Sequence, residues 1–370
     1  MQIDSNKKWL RILVALGCLI IAAIIFVLTF AFDVSEDDKK QERIGLLLID
    51  STNDEEWKNE QFNSLKEVCS ELGIMLFNKR SATENAVNFK SEISALANEG
   101  ARMIIVVTPT YTLPREYFAE EYPHIAFATN SADYREKNLT PYLVRMYQGR
   151  WLAGALAGMK TKTNVIGYVA SMPDSLINLE INAFTLGLQR TNPNAKVVVM
   201  WTGDWNNAEI EAEHTKRLVN EANADIITYH QNDRVVADTA ESLNVDFIGY
   251  NDNLAGYSNH HLTSVVCRWD IYYSEILNRY LRGELNSAGD QWIDIKSGSV
   301  VLTNYSETVT PEMQNKVEMM RQELLQGHNI FSGNIYDNEG VQHCADGETI
   351  SDKALLFRTN WLVRGVEVRE

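Results

Sequence analysis

Beyond residue 42 the chain alternates between short continuous apolar runs and longer stretches whose apolar positions return every three or four residues. "RIGLLLID" (43–50) is an apolar run of strand length, and "EEWKNEQFNSLKEVCSELG" (55–73) has helical spacing closed by Gly73. "IMLFN" (74–78), a helix over about 84–98, "RMIIVVTPT" (102–110) and "HIAFAT" (124–129) continue the pattern up to a helix in "VRMYQGRWLAGALAGMK" (144–160). A second set begins at "NVIGYVAS" (164–171), with a helix around "INLEINAFTLGLQR" (177–190) and the run "KVVVMW" (196–201). A helix around "NAEIEAEHTKRLVNEA" (207–222), "ADIITYH" (224–230), a short helix and "DFIGYN" (246–251) complete it. Apolar runs without polar alternation, separated by helices, predict parallel strands covered on both faces by βαβ crossovers. Two such sets predict an α/β chain of two doubly wound, Rossmann-like lobes with a ligand cleft between them.

In open parallel sheets, ligands bind outside the carboxyl ends of the strands, and the distinctive polar and aromatic residues gather there. Thr108 to Tyr111 ("TPTY") follow a strand of the first set. Trp201 to Trp205 ("WTGDW"), His230 to Asp233 ("HQND") and Tyr250 to Asn253 ("YNDN") follow strands of the second. Two tryptophans four residues apart, with Asp204 before the second, raise a choice between core plugs and flat faces for a flat ligand. A flat, weakly polar ligand needs two aromatic faces and a few amide or carboxylate groups in its plane. Trp57 and Trp205 are expected to close on opposite faces, with Asp204 or the "HQND" loop reading the edge. Trp201, ending a strand, is the tryptophan expected in the core, and packing and ligand contact stand level for Trp269. The candidate contact set is Trp57, Gln61, Thr108, Tyr111, Asn182, Trp201, Asp204, Trp205, Gln231, Asn232, Asp233, Tyr250, Asn253 and Trp269.

The N-terminus adds a different element. Ile12 to Phe32 is 21 residues without a charge, preceded by Lys7, Lys8 and Arg11. That length spans a bilayer core of roughly 30 Å, and the positive flank places the N-terminus in the cytoplasm. The expected organisation is an anchor and linker over 1–42, with a single-pass helix at about 12–32 in the cell inner membrane. The two-lobed domain over 43–370 then faces the periplasm or exterior. Lobe one is expected at about 43–143, with returning segments near 263–290 and 355–370, and lobe two at about 144–262 and 291–354. A cleaved signal peptide, or a lipid-modified Cys18 in "ALGC", would instead release or re-anchor the domain.

A net charge of −16 argues against nucleic acid or an anionic membrane surface as a partner. Outside the apolar segment, Cys69, Cys267 and Cys344 have no metal-site spacing and allow at most one disulfide. No phosphate loop, dinucleotide fingerprint, HExxH or GxSxG is present. The pair His260-His261 has no carboxylate or cysteine at ligand spacing. No catalytic residue, metal or cofactor is assigned.

The stretches "YQGRWLAGALAGMKTKTNVIGYVAS", "INAFTLGLQRTNPNAKVVVMWTGDW", "ANADIITYHQND" and "FIGYNDN" carry a resemblance. So do "LTSVVCRWDIYYSEILNRYLRGE", "FSGNIYDNEG" and "WLVRGVEV". In order and spacing, over nearly all of 43–368, they resemble the basic membrane protein family of bacterial solute-binding lipoproteins. The resemblance implies a type I periplasmic-binding fold, a purine base or nucleoside as ligand, and an ABC permease as partner. Trp57, Trp201 and Trp205 fall where the branch associated with adenine-like bases carries tryptophan. Asn253 stands where the family usually has Asp, and no clear lipobox precedes the domain. A rival reading is a membrane-anchored sensor that reports purine occupancy to a separate signalling partner.

Overall fold

The computed structural model describes residues 41–50, 55–83, 86–108, 118–130, 137–252, 254, 256–285 and 291–370. The first lobe runs β1 (Arg43–Asp50), α1 (Glu55–Glu71), β2 (Met75–Leu76), β3 (Arg80–Thr83), α2 (Ala86–Asn98), β4 (Met103–Val107), α3 (Phe118–Glu121), β5 (Ala126–Thr129) and β6 (Leu139–Val144). The chain then crosses into α4 (Met146–Lys160), β7 (Val165–Ala170), α5 (Ser175–Thr191), β8 (Lys196–Trp201), α6 (Ala208–Asn220), β9 (Ile226–His230), α7 (Val235–Ser242), β10 (Asp246–Tyr250) and β11 (His261–Cys267). It returns through α8 (Trp269–Leu281) and β12 (Gln291–Ile293) and crosses a third time into β13 (Val300–Leu302). The remainder is α9 (Pro311–Leu325), β14 (Ile335–Tyr336), β15 (Gln342–Cys344), α10 (Asp352–Arg358) and β16 (Val366–Arg369).

The first sheet has the order β12-β6-β5-β4-β1-β2, with β3 also on β1, and every pairing is parallel. The second has the order β13-β11-β10-β9-β7-β8-β16, parallel except for β13 against β11. β4, β7 and β9 are buried at every position, as the unbroken apolar runs require of strands covered on both faces.

Three boundaries differ from the sequence expectation. β11, within 263–290, belongs to the second sheet and only α8 returns to lobe one, where it packs on α1. β12 joins the first sheet beside β6. The segment 355–370 stays with lobe two, because β16 pairs with β8 and α10 packs on α5. A strand's own residues state that it is buried, not which sheet edge is vacant.

Helices α4 and α5 form the most intimate helix pair. A Cβ on Gly154 would lie 1.9 Å from the Phe184 carbonyl oxygen, and one on Gly187 would lie 1.9 Å from that of Trp151. Glycine inside a helix costs roughly 0.5–1 kcal/mol relative to alanine, so these positions serve backbone contact. Asp174 caps α5 by accepting from the Leu176 and Ile177 N–H groups. Among the described residues no helix is long and apolar enough to cross a membrane; the expected anchor at 12–32 lies outside them.

Candidate functional site

Strands β5 and β6 of the first sheet and β9 and β10 of the second end on the same inter-lobe cavity. Asn130 and Val144 line it from one side, His230 and Asn251 from the other. Trp269 and Tyr272 on α8 and Trp292 on β12 supply aromatic walls, and Glu180 on α5 supplies a carboxyl group. These three aromatics sit on crossover segments, so the cavity lies against the hinge, and Tyr142 of β6 is a fourth aromatic in its lining.

The polar end is organised by Arg150, which α4 buries completely. Its Nε donates to Glu180 Oε2 at 3.0 Å, Nη1 to Thr228 Oγ1 at 3.3 Å and Nη2 to the Tyr229 carbonyl at 2.8 Å. The guanidinium lies 4.2 Å from the Tyr250 ring centroid, a buried cation–π contact. Burial pushes the Glu180 carboxyl up to about 7 against the pull of Arg150. His230 is packed between Trp205, whose ring meets it edge-on at 5.5 Å, and Tyr250 at 4.3 Å. Burial, helped by the nearby Arg150 charge, holds this imidazole well below its ordinary pKa, so it is neutral at pH 7. The glycine contacts of α4 and α5 bring Arg150 and Glu180 within reach of each other.

Of the residues named from sequence, Trp269 lines the cavity, and Tyr250 stands directly behind it on Arg150 and His230. Trp205 and Trp201 both pack on the core. Trp205 is only 7% exposed and belongs to the core, whereas Trp201 is half-buried. The loop after β8 folds back so that Trp205 packs on His230, which removes it as a free stacking face. Gln231 is buried against Thr202 Oγ1, with its amide best oriented to donate to the Asp204 carbonyl. Asp204 is exposed and caps its own turn through the Asn206 N–H, and the Asn232 N–H donates to the Trp205 carbonyl. Asp233 accepts from the Val235 N–H. His230 is the member of the "WTGDW" and "HQND" segments that lines the cavity, while the rest of the two loops brace each other.

Asn182 is fully buried and is not part of the cavity lining. Its amide donates to the Trp361 carbonyl and accepts from the Val363 N–H, tying down the C-terminal segment. Gln61 is buried where α1 meets α8; its Oε1 accepts from Tyr273 at 2.6 Å and its Nε2 has no partner among the described residues. Thr108 is buried, with its backbone N–H and C=O both held by the Asn130 amide. Tyr111, Asn253 and the side chain of Trp57 lie outside the described residues. Sequence reasoning passed over Glu180, Arg150, Asn251 and Trp292. A signal existed for the first two, since each is a single charge within an otherwise apolar helical run. Cys69, Cys267 and Cys344 are buried free thiols.

Residues 41–338 match the family described as ABC transporter substrate-binding protein, PnrA-like. A purine-binding protein of Brucella abortus (strain 2308) is 26% identical over 330 residues, covering 88% of this chain and 93% of that protein. The transcriptional activator protein med of Bacillus subtilis (strain 168) is 24% identical over 284 residues, 75% of this chain and 87% of its own. An ABC transporter solute-binding protein from Aeropyrum pernix K1 superposes with a TM-score of 0.63 at 16% identity, covering 86% of this chain and 100% of that one. A transcriptional activator of the comK gene from Bacillus halodurans reaches 0.68 at 20% identity, covering 77% and 99%. The structural likenesses establish a two-lobed, type I periplasmic-binding fold, and the sequence match establishes the rest: this chain belongs to the PnrA-like family of ABC transporter substrate-binding proteins, which bind solutes and are not enzymes.

Proposed function

We propose that the chain binds a purine base or nucleoside, adenine-like in its edge, between its lobes and delivers it to an ABC permease. The observation that carries this reading is the composition of the inter-lobe cavity. Three aromatic side chains, Trp269, Tyr272 and Trp292, face the space in which Glu180 and His230 supply polar contacts, the combination a flat heteroaromatic ring with polar edges requires. Trp57, whose side chain is not described, remains the lobe-one candidate for a further face. Among the described residues that line the cavity there is no lysine or arginine, so nothing there compensates a phosphate. The name of the Brucella relative supports the same ligand class. The apolar segment 12–32 anchors the domain to the inner membrane, facing outward, and the protein should remain with that membrane on fractionation.

Calorimetric titration of the full-length protein in detergent tests the ligand. Adenine and adenosine are expected to bind far more tightly than AMP or a hexose. AMP binding as well as adenine, or a hexose outcompeting both, would overturn the reading. The relative named as a transcriptional activator supports a second use of the same pocket, as a sensor reporting occupancy. Stimulation of a cognate permease ATPase by the loaded protein favours delivery, and its absence favours sensing.

A further inference from the structure

The Trp292 ring that walls the cavity is not held by apolar packing alone. Beside it stands Arg145, a residue of the first crossover that does not line the cavity. The guanidinium lies 4.2 Å from the centroid of the Trp292 ring, and its Nε donates to the Trp292 carbonyl at 3.3 Å. We infer that Arg145 is a positioning residue: it holds Trp292 as a stacking wall and, through Asp352, ties that wall to the lobe that supplies Glu180. The inference rests on the purine reading above and adds how the binding surface is kept in place.

Every nitrogen of Arg145 is engaged, and the partners belong to different parts of the molecule. The backbone N–H donates to the Ile293 carbonyl at 2.8 Å, stitching the first crossover to the third. Nη1 donates to the Tyr147 hydroxyl and to Asp352 Oδ1, both at 2.9 Å, and Nη2 donates to Asp352 Oδ2. A planar guanidinium can lie against an indole face and still present two parallel N–H groups to a carboxylate, which an ammonium cannot do. Tyr147 meets the Trp292 ring edge-on at 5.4 Å. Neither Arg145 nor Tyr147 lines the cavity, so the two back the ring and leave its cavity side to the ligand. Trp292 Nε1 has no partner among the described residues. The indole's own polar group therefore does not set its orientation, and its neighbours do.

Asp352 carries the connection into lobe two. It stands in the first turn of α10, which packs on α5, the helix that carries Glu180. The Asp352 side chain is 52% exposed, so the pair adds little as an ion pair. Its contribution is direction. The bidentate contact fixes the plane of the guanidinium, and the guanidinium fixes the tilt of the ring beside it. The aromatic wall on β12 and the polar end on α5 are thereby held in register.

Adenine titration of the full-length protein in detergent, with ligand-free melting beside it, tests the assignment. Arg145→Met, which keeps the stem and loses the fork, is expected to weaken adenine binding roughly tenfold. Trp292→Leu removes the stacking wall. In that background Arg145→Met is expected to change affinity by less than about twofold, because a residue acting through the ring has nothing left to act on. Asp352→Asn is expected to weaken binding about three- to fivefold, and Asp352→Glu to bind like the parent. An equal loss from Arg145→Met with and without the Trp292 ring would make Arg145 a general structural residue and overturn the assignment. Parent-like adenine binding by Arg145→Met would overturn it too, and in both cases purine binding by the parent stands. If the parent binds no purine, the purine reading and this inference fall together. Should Arg145→Met or Trp292→Leu fail to fold, the exposed Asp352 decides. An Asp352→Asn protein that binds adenine like the parent overturns the assignment, and one weakened while Asp352→Glu is not supports it.

Discussion

Trp205 and Trp269 are both strand-end or crossover tryptophans, and their surroundings assign them different work. Trp205 packs in the core beside His230, so truncation leaves a void; Trp205→Ala is expected to cost about 3–5 kcal/mol of stability. Trp269 is half-buried on the cavity wall, so Trp269→Ala removes a stacking face worth roughly 1–3 kcal/mol, one to two decades in adenine affinity. Ligand-free melting and calorimetric affinity for both variants separate the roles. An unchanged melting temperature for Trp205→Ala, or undiminished adenine affinity for Trp269→Ala, would refute the respective assignment. The sequence made Tyr250 and Trp269 legible because aromatic residues at strand ends stand out against polar loops. It did not make Trp205 legible, since a return of the loop after β8 onto β9 is a tertiary event. Glu180 was hidden differently: in "INLEINAF" it sits within the apolar pattern that identifies the helix, and its partner is 30 positions away.

At the level of elements, hydrophobic periodicity recovers most of the strands and helices up to β10 and assigns none beyond it. β6, which periodicity leaves unassigned, contains Pro141, whose missing N–H is unfavourable in an inner strand. The structure accommodates it because β12 pairs only with Tyr142, Leu143 and Val144, leaving Pro141 beyond the end of that short neighbour. Contact between α4 and α5 yields the sharpest expectation here. Gly154→Ala places a methyl group against the Phe184 carbonyl and must push the helices apart, costing roughly 1–3 kcal/mol. Because Arg150 and Glu180 face each other across the same pair of helices, purine affinity should fall as well. Melting and affinity measured together check this; a variant equal to the parent in both would show that the helix spacing does not set the pocket.

For the molecule as a whole, three crossovers place the hinge beside the ligand. Arg145, on the first crossover, lies 4.2 Å above the Trp292 ring of the third and pairs with Asp352 of α10. A ligand wedged against Trp269 and Trp292 therefore bears on segments that both lobes share, the arrangement a hinge closure needs. The two-lobe organisation was legible in sequence because two sets of buried runs repeat. The final strand's place was not, because Val366–Arg369 is four residues long and its partner lies some 170 positions earlier.

That late strand also sets a timetable. While the chain is being synthesised, the outer edge of β8, "KVVVMW", waits unpaired until β16, some 170 positions later, is available. An open apolar edge is a template for another copy of the chain, so protection from self-association comes only with β16. A chain deleted for residues 366–370 is accordingly expected to accumulate as aggregates, even though every residue of the cavity is retained. Size-exclusion chromatography of the truncated and full-length proteins in detergent measures this directly, and a monodisperse truncated protein would show that the edge is guarded by something other than β16.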